Sequence, residues 1–197
     1  MKVIGITGGV GAGKSEVLRY IKERCNCRIL IADEAAHILQ EPGQPCYQPL
    51  IDLLGNGILQ ADGQIDRKQM AKQIFIGSKE TLLPQVNTIV HPAVKKYILS
   101  EIEREKQIGA IDYFFIEAAL LIEDGYVEIC DELWYIYATQ TVRAERLKKA
   151  RGYSEEKIDG IMNSQSDEET FRRHCAVVID NSGDLEETKK QLRQYLQ

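Results

Sequence analysis

The sequence predicts an α/β fold in which a five-stranded parallel sheet is covered by helices on both faces. Two observations predict it. Short apolar runs alternate along the chain with longer stretches of helical periodicity, the pattern of strands that return through crossover helices. The first run is also followed by a glycine-rich turn and then by an amphipathic segment, which is the opening of a strand, loop and helix unit.

The first strand is expected at 2–7, Lys2-Val3-Ile4-Gly5-Ile6-Thr7. After the turn, Val17, Leu18 and Ile21 form an apolar face within Glu16 to Lys22, so a helix is expected there. Further strands are expected at 28–31, 111–116, 133–138 and 176–179. The second is expected to lie beside the first and to carry Asp33 just past its C-terminal end.

About eighty residues separate the second strand from the third, and they contain no convincing strand. They hold amphipathic segments such as Arg67 to Ile76, broken by Glu41-Pro42-Gly43-Gln44-Pro45, Gly55-Asn56-Gly57, Ala61-Asp62-Gly63 and His91-Pro92. A helical insertion over about 41–109 is therefore expected on a core made of about 1–40 and 110–197. An insertion of this kind suits a second substrate. Beyond the fourth strand come a basic helical stretch, Arg143 to Arg151, a polar one, Ser154 to Glu169, and a closing helix from Leu185 to Leu196. No linker divides the chain, so 1–197 reads as a single domain with an insertion.

With 25 Lys and Arg against 30 Asp and Glu, the net charge is -5, the wrong sign for wrapping nucleic acid nonspecifically. Lys2 to Thr7 has no signal-peptide character, and no apolar stretch approaches the length of a membrane span. A cytoplasmic protein is expected. The five cysteines are odd in number and scattered, so reduced thiols are expected and no metal site is read from them.

Gly8-Gly9-Val10-Gly11-Ala12-Gly13-Lys14-Ser15 satisfies G-x-x-x-x-G-K-[ST] in full, after an apolar strand and at the mouth of a helix. The letters alone would match by chance in a chain of this length on the order of once in a hundred, and the required context lowers that further. Gly8, Gly9, Gly11, Ala12 and Gly13 would turn main-chain N–H groups toward a polyphosphate, with Glu16 just behind them. Lys14 would bridge the terminal phosphates, and Ser15 would place its hydroxyl on the Mg²⁺ of MgATP.

Phosphoryl transfer asks for an oriented carboxylate near the acceptor and for basic side chains near the transferred group. Asp33 suits a general base and equally suits a helix N-cap. Glu117 closes the run Tyr113-Phe114-Phe115-Ile116, where it would hold Mg²⁺-bound water or substrate, or simply start a helix. Arg143, Arg146, Lys148, Lys149 and Arg151 form either a solvated helix face or, in one or two members, a lid over ATP. His37 and His91 read as structural or surface groups.

Gly8 to Ser15, Ala32-Asp33, Glu41-Pro42-Gly43, Asp66-Arg67-Lys68, His91-Pro92 and Ile179-Asp180-Asn181-Ser182-Gly183 stand in this order along nearly the whole chain. With them the sequence resembles the bacterial dephospho-coenzyme A kinases. The resemblance implies a nucleoside-kinase-like three-layer core, a helical coenzyme A region, a mobile lid over about 140–175, and transfer from MgATP to the 3′-hydroxyl of dephospho-coenzyme A. It implies Asp33 as the catalytic aspartate, Arg67 and His91 in acceptor motifs, and Asn181 in the loop near the adenine. The partners implied are small molecules, with no nucleic acid and no membrane, for a monomer or small homo-oligomer.

The chain departs from the family pattern at Ile31, at Glu16 and over Glu117-Ala118-Ala119-Leu120-Leu121. The family's lid arginine falls on Ala150, which leaves Arg151, one position displaced, as its substitute. Another small-molecule P-loop kinase would share the loop and base but differ in the insertion. A GTPase switch is a further alternative, since Asp52-Leu53-Leu54-Gly55 and Asp180-Asn181-Ser182-Gly183 match D-x-x-G. Neither follows a suitable strand, however, and no N-K-x-D guanine signature is present.

Overall fold

The computed structural model describes residues 1–75 and 82–196. In order, the elements are β1 (Lys2–Thr7), α1 (Lys14–Arg24), β2 (Cys27–Ile31), α2 (Ala32–Ile38), α3 (Tyr47–Leu54), α4 (Arg67–Phe75), α5 (Leu83–Ile108), β3 (Tyr113–Glu117), β4 (Glu132–Tyr137), α6 (Gln140–Arg151), α7 (Glu155–Asn163), α8 (Glu168–His174), β5 (Val177–Asp180) and α9 (Leu185–Tyr195). All five expected strands are present, within two residues of their expected ends. Ile76, the last residue of one expected helical segment, lies outside the described residues. Two compact units are formed: 1–30 with 105–197, and 31–104.

In the first unit the five-stranded sheet has the order β2-β3-β1-β4-β5. The β1/β3, β1/β4 and β4/β5 pairings are parallel. The expected placement of β2 beside β1 is corrected: β3 lies between them and β2 is an edge strand. The physical reason is visible in burial. Five of the six β1 residues are buried, against one of five in β2. Arg28 within β2 is affordable only at an edge, where its guanidinium reaches Glu105 Oε1 at 2.6 Å.

Side chains of β4 alternate between two covered faces, which is why Leu133-Trp134-Tyr135-Ile136-Tyr137 reads as an unbroken apolar run. Trp134 and Ile136 join Ile4, Ile6, Phe115, Ile179, Val17, Ile21 and Leu192 in one core beneath α1 and α9. The Phe115 and Trp134 rings meet edge to face at 5.9 Å. On the other face Tyr135 stacks on Phe171 of α8 at 4.7 Å between centroids. A fully buried side chain of this size contributes about 1.5–3 kcal/mol, so the sheet centre holds this unit together.

The expected polar helical stretch from Ser154 to Glu169 divides into α7 and α8. The division has a chemical cause: Ser154 accepts from Lys157 N–H, and Asp167 accepts from Thr170 N–H, so each caps its own helix. Thr139 and Asp184 cap α6 and α9 in the same way.

The 31–104 unit is helical, with Leu39, Cys46, Leu50, Ile58, Ile65, Ile74, Val86, Val90, Val94 and Ile98 buried. Its turns fall at three of the expected breaks, and an antiparallel bridge joins Leu59 to Ile65. The expected break at His91-Pro92 is corrected: Pro92 lies inside α5. An interior proline costs about 3 kcal/mol, yet Val86, Val90, Val94, Ile98 and Ile102 form a buried stripe on both sides of it. That burial outweighs the missing N–H. Among the described residues no helix is long and apolar enough to cross a membrane.

Candidate phosphate-binding site

The loop between β1 and α1 is shaped by glycine. Gly13, the N-cap of α1, has φ 91° and ψ 26°, a left-handed conformation that L side chains rarely adopt. A Cβ there would also strike the Asn181 carboxamide. With no capping side chain, the first N–H groups of α1 are left to an anion, and the helix dipole adds its partial charge at the same place. Ala12 N–H closes the loop on Gly9 O at 3.0 Å.

Lys14 folds back along this loop. Its Nζ donates to Gly8 O at 2.8 Å and lies 3.4 Å from Glu117 Oε1, with both side chains less than one-fifth exposed. The sheet explains the meeting, because Ile6 of β1 is in register with Glu117 of β3. Ser15, next in the chain, is exposed at the start of α1, and Glu16 is half-buried.

From the opposite side of the sheet, Asn181 follows β5 and is 3% exposed. Its Nδ2 donates to Ala12 O at 2.7 Å, and its Oδ1 accepts from Thr188 Oγ1 at 2.9 Å. The Asn181 side chain thus serves the loop's shape. Asp180 beside it accepts from Ser182 N–H in an Asx turn, while the other D-x-x-G match begins within α3.

Two arginines of the basic run reach the loop. Arg146 donates to Ala12 O at 3.2 Å and to Asn181 O at 2.8 Å. Arg143 Nε donates to Val10 O at 2.9 Å, its guanidinium lies against Gly9, and its NH2 group donates to Gln165 Oε1. Burial pushes the Arg143 pKa down, and no carboxylate pairs with it among the described residues. Arg151, in the last turn of α6, is exposed and lies over the Tyr153 ring at 5.8 Å.

Glycine spacing made the loop readable, and Arg143 and Arg146 stood in the basic run. Nothing in the sequence singled out Gln165. Among the residues expected at the site, Gly8 to Glu16, Glu117 and Asn181 are brought together in the first unit. Asp33, Arg67 and His91 belong to the 31–104 unit. Asp33 is exposed in the first turn of α2, and Arg67 is exposed at the start of α4, where Asp66 Oδ1 accepts from Lys68 and Gln69 N–H. His91 lies on α5 and is partly exposed.

A glycine-walled anion seat with a lysine folded over it, on a sheet of this strand order, places the chain among the P-loop kinases. A model of the family described as dephospho-CoA kinase matches residues 2–187. Dephospho-CoA kinases from Carboxydothermus hydrogenoformans and Aquifex aeolicus are 37% and 38% identical to the chain, over 100% and 98% of it and 94% and 95% of their own lengths. The solved structure of TT1252 from Thermus thermophilus superposes with a TM-score of 0.79 at 25% identity, covering 99% of this chain and 96% of that one. The chain belongs to the dephospho-CoA kinase family.

Proposed function

We propose that the chain transfers the γ-phosphoryl group of ATP to the ribose 3′-hydroxyl of dephospho-CoA, giving CoA and ADP, the last step of CoA biosynthesis. The observation that carries this reading is a complete phosphate loop, with Lys14 and Glu117 converged on it, in a chain alike to dephospho-CoA kinases over residues 2–187. In the reaction the acceptor oxygen forms a bond to the γ-phosphorus, the bond to the β-phosphate oxygen breaks, and ADP leaves. Asp33 takes the acceptor proton. Lys14 and the N–H groups of the loop hold the charge that develops on the phosphates.

Mg²⁺ travels with ATP in this scheme. Among the described residues no cluster of three or more His, Cys, Asp or Glu could hold a metal by itself. The donors near the loop are the Ser15 hydroxyl and the Glu117 carboxylate. Hard oxygen donors in ones and twos suit Mg²⁺, which keeps water and substrate phosphates as its other ligands. Ser15 would hold the ion, which would supply neutralisation of the charge that develops on the phosphates.

Arg67, His91 and the rest of the 31–104 unit are assigned to the acceptor, and the region about 140–175, with Arg151, to a lid that closes over the phosphates. The loop that carries Asn181 flanks the adenine. The proposal extends to a cytoplasmic enzyme, monomeric or a small homo-oligomer, that binds small molecules rather than nucleic acid. A net charge of -5 supports the last point.

Purified protein incubated with MgATP and dephospho-CoA, beside adenosine, cytidine and thymidylate, tests the acceptor by mass detection of CoA. CoA formed with turnover on the nucleoside controls near zero is expected. Phosphorylation of a control instead of dephospho-CoA would sink the reading. Asp33→Asn should bind MgATP as the parent does while losing transfer. Full activity in that variant would place the base elsewhere.

A further inference from the structure

Val10 stands at the tip of the phosphate loop, and both of its main-chain polar groups are taken by side chains from far along the chain. Its N–H donates to Gln165 Oε1 at 3.1 Å across 155 residues, and its carbonyl accepts from Arg143 Nε at 2.9 Å across 133. Arg143 NH2 donates to the same Gln165 Oε1, so the three residues close a ring of hydrogen bonds. Gln165 lies in the link between α7 and α8, and Arg143 lies in the first turn of α6. All three contacts are partly buried.

We infer that Arg143 and Gln165 are positioning residues of the kinase reaction: together they clamp Val10 and hold the phosphate loop in the form that receives ATP. The inference rests on the reading of that loop as the seat of ATP. Each partner in the clamp is neutral apart from the guanidinium, so Arg143 fixes the loop without surrendering its charge to a carboxylate. An Arg–carboxylate pair would have held the loop equally well and cancelled the field that attracts the polyphosphate. The ring also joins two stretches of the 140–175 segment to the loop, so any displacement of that segment is felt at Val10.

The fork of the guanidinium is essential, because one Nε–H and one NH2 group must serve two acceptors held by different elements. Lysine keeps the charge and loses the fork. Gln165→Leu keeps the volume and loses the acceptor. Each substitution removes at least one hydrogen bond of about 1.4 kcal/mol, which corresponds to about tenfold in an equilibrium constant.

Hydrogen exchange of the Val10 amide without nucleotide, followed by calorimetric titration with MgATP and steady-state kinetics, tests the clamp in wild type, Arg143→Lys and Gln165→Leu. Exchange should quicken about tenfold in both variants. Kd and KM for MgATP should rise about tenfold, while kcat and KM for dephospho-CoA stay within about threefold. The double variant should be about as impaired as the worse single one, because both residues act through Val10. Unchanged exchange at Val10 overturns the clamp whatever ATP does. Faster exchange with unchanged Kd overturns the positioning role, as does an Arg143→Lys variant equal to wild type. A wild-type protein that exchanges as expected but binds no MgATP overturns the functional reading and this inference with it.

Discussion

Lys14 Nζ lies 3.4 Å from Glu117 Oε1, so the cation of the phosphate loop and the acid at the end of the neighbouring strand form one partly buried pair. The pair is set by strand register, since β1 and β3 run parallel with Ile6 opposite Glu117. A lysine held this way is directed along the loop, with Gly8 O as its second anchor at 2.8 Å.

Lys14→Ala removes a donor aimed at the phosphates and should lower kcat by about 10²–10³-fold. Glu117→Gln keeps the shape and removes the charge that orients Lys14. It should lower kcat by at least about tenfold while the Kd for MgATP changes by less than about threefold, the mark of an interaction strengthened in the transition state. Rapid-quench measurement of the transfer step checks both. A Lys14→Ala enzyme with near-normal turnover would remove the lysine from the chemistry.

Asn181 should matter to stability as well as to the loop. It is buried, donates to Ala12 O and accepts from Thr188 Oγ1. Asn181→Ala removes both bonds, leaving Ala12 O to Arg146 and Thr188 Oγ1 to its longer contacts with Asp180 O and Asp184 O, at a cost of about 2 kcal/mol. In a chain of this length that lowers Tm by about 4–8 °C. Thr188→Val should cost less, because it strands only one oxygen. Calorimetry on the two variants and their combination checks the coupling, with a combined loss below the sum of the singles.

How much of this could be read in advance follows from the range over which each feature is decided. The five strands and the phosphate loop are local patterns, and they stand where the apolar runs and glycines put them. The neighbour of β2 is not local, although Arg28 within an apolar strand was a usable mark of an edge. His91-Pro92 reads as a break because proline opposes helix, and only the buried stripe from Val86 to Ile102 reverses that. Arg143, Arg146 and Arg151 are equivalent in sequence. Packing against the loop separates the first two from the third. Gln165 had no signal at all, because its partner is 155 residues away.

Acid should weaken the protein through Glu132. Its carboxylate accepts from Lys2 Nζ at 2.7 Å and Trp134 Nε1 at 3.1 Å, and the Lys2 bond first, then the Trp134 bond, hold its pKa below the ordinary value of 4.5. A depressed carboxyl pKa stabilises the fold at pH above the unfolded value. That contribution fades as pH falls below about 4.5 and through the folded pKa. Glu132→Gln should therefore lower Tm by about 2–4 °C near neutrality, the equivalent of about 1 kcal/mol for a partly screened pair. The gap to wild type should close on acidification. A Tm difference that persists undiminished at pH 3 would remove the ion pair as its cause.

Thr7 offers a substitution of the opposite sign. It ends β1 directly before the phosphate loop, its residue is fully buried, and its hydroxyl has no partner among the described residues. A buried hydroxyl without a partner costs about 1–3 kcal/mol, and an apolar group of the same shape does not incur that cost. Valine has that shape and the same preference for a strand. Thr7→Val should leave stability unchanged or raise it by about 1 kcal/mol, seen as a Tm gain of up to about 4 °C. Because the residue is fully buried, kcat and the KM for ATP should stay within about twofold of wild type. A loss of stability in Thr7→Val would mean that the hydroxyl is satisfied by bound water, and a loss of turnover without a loss of stability would give that hydroxyl a part in shaping the loop.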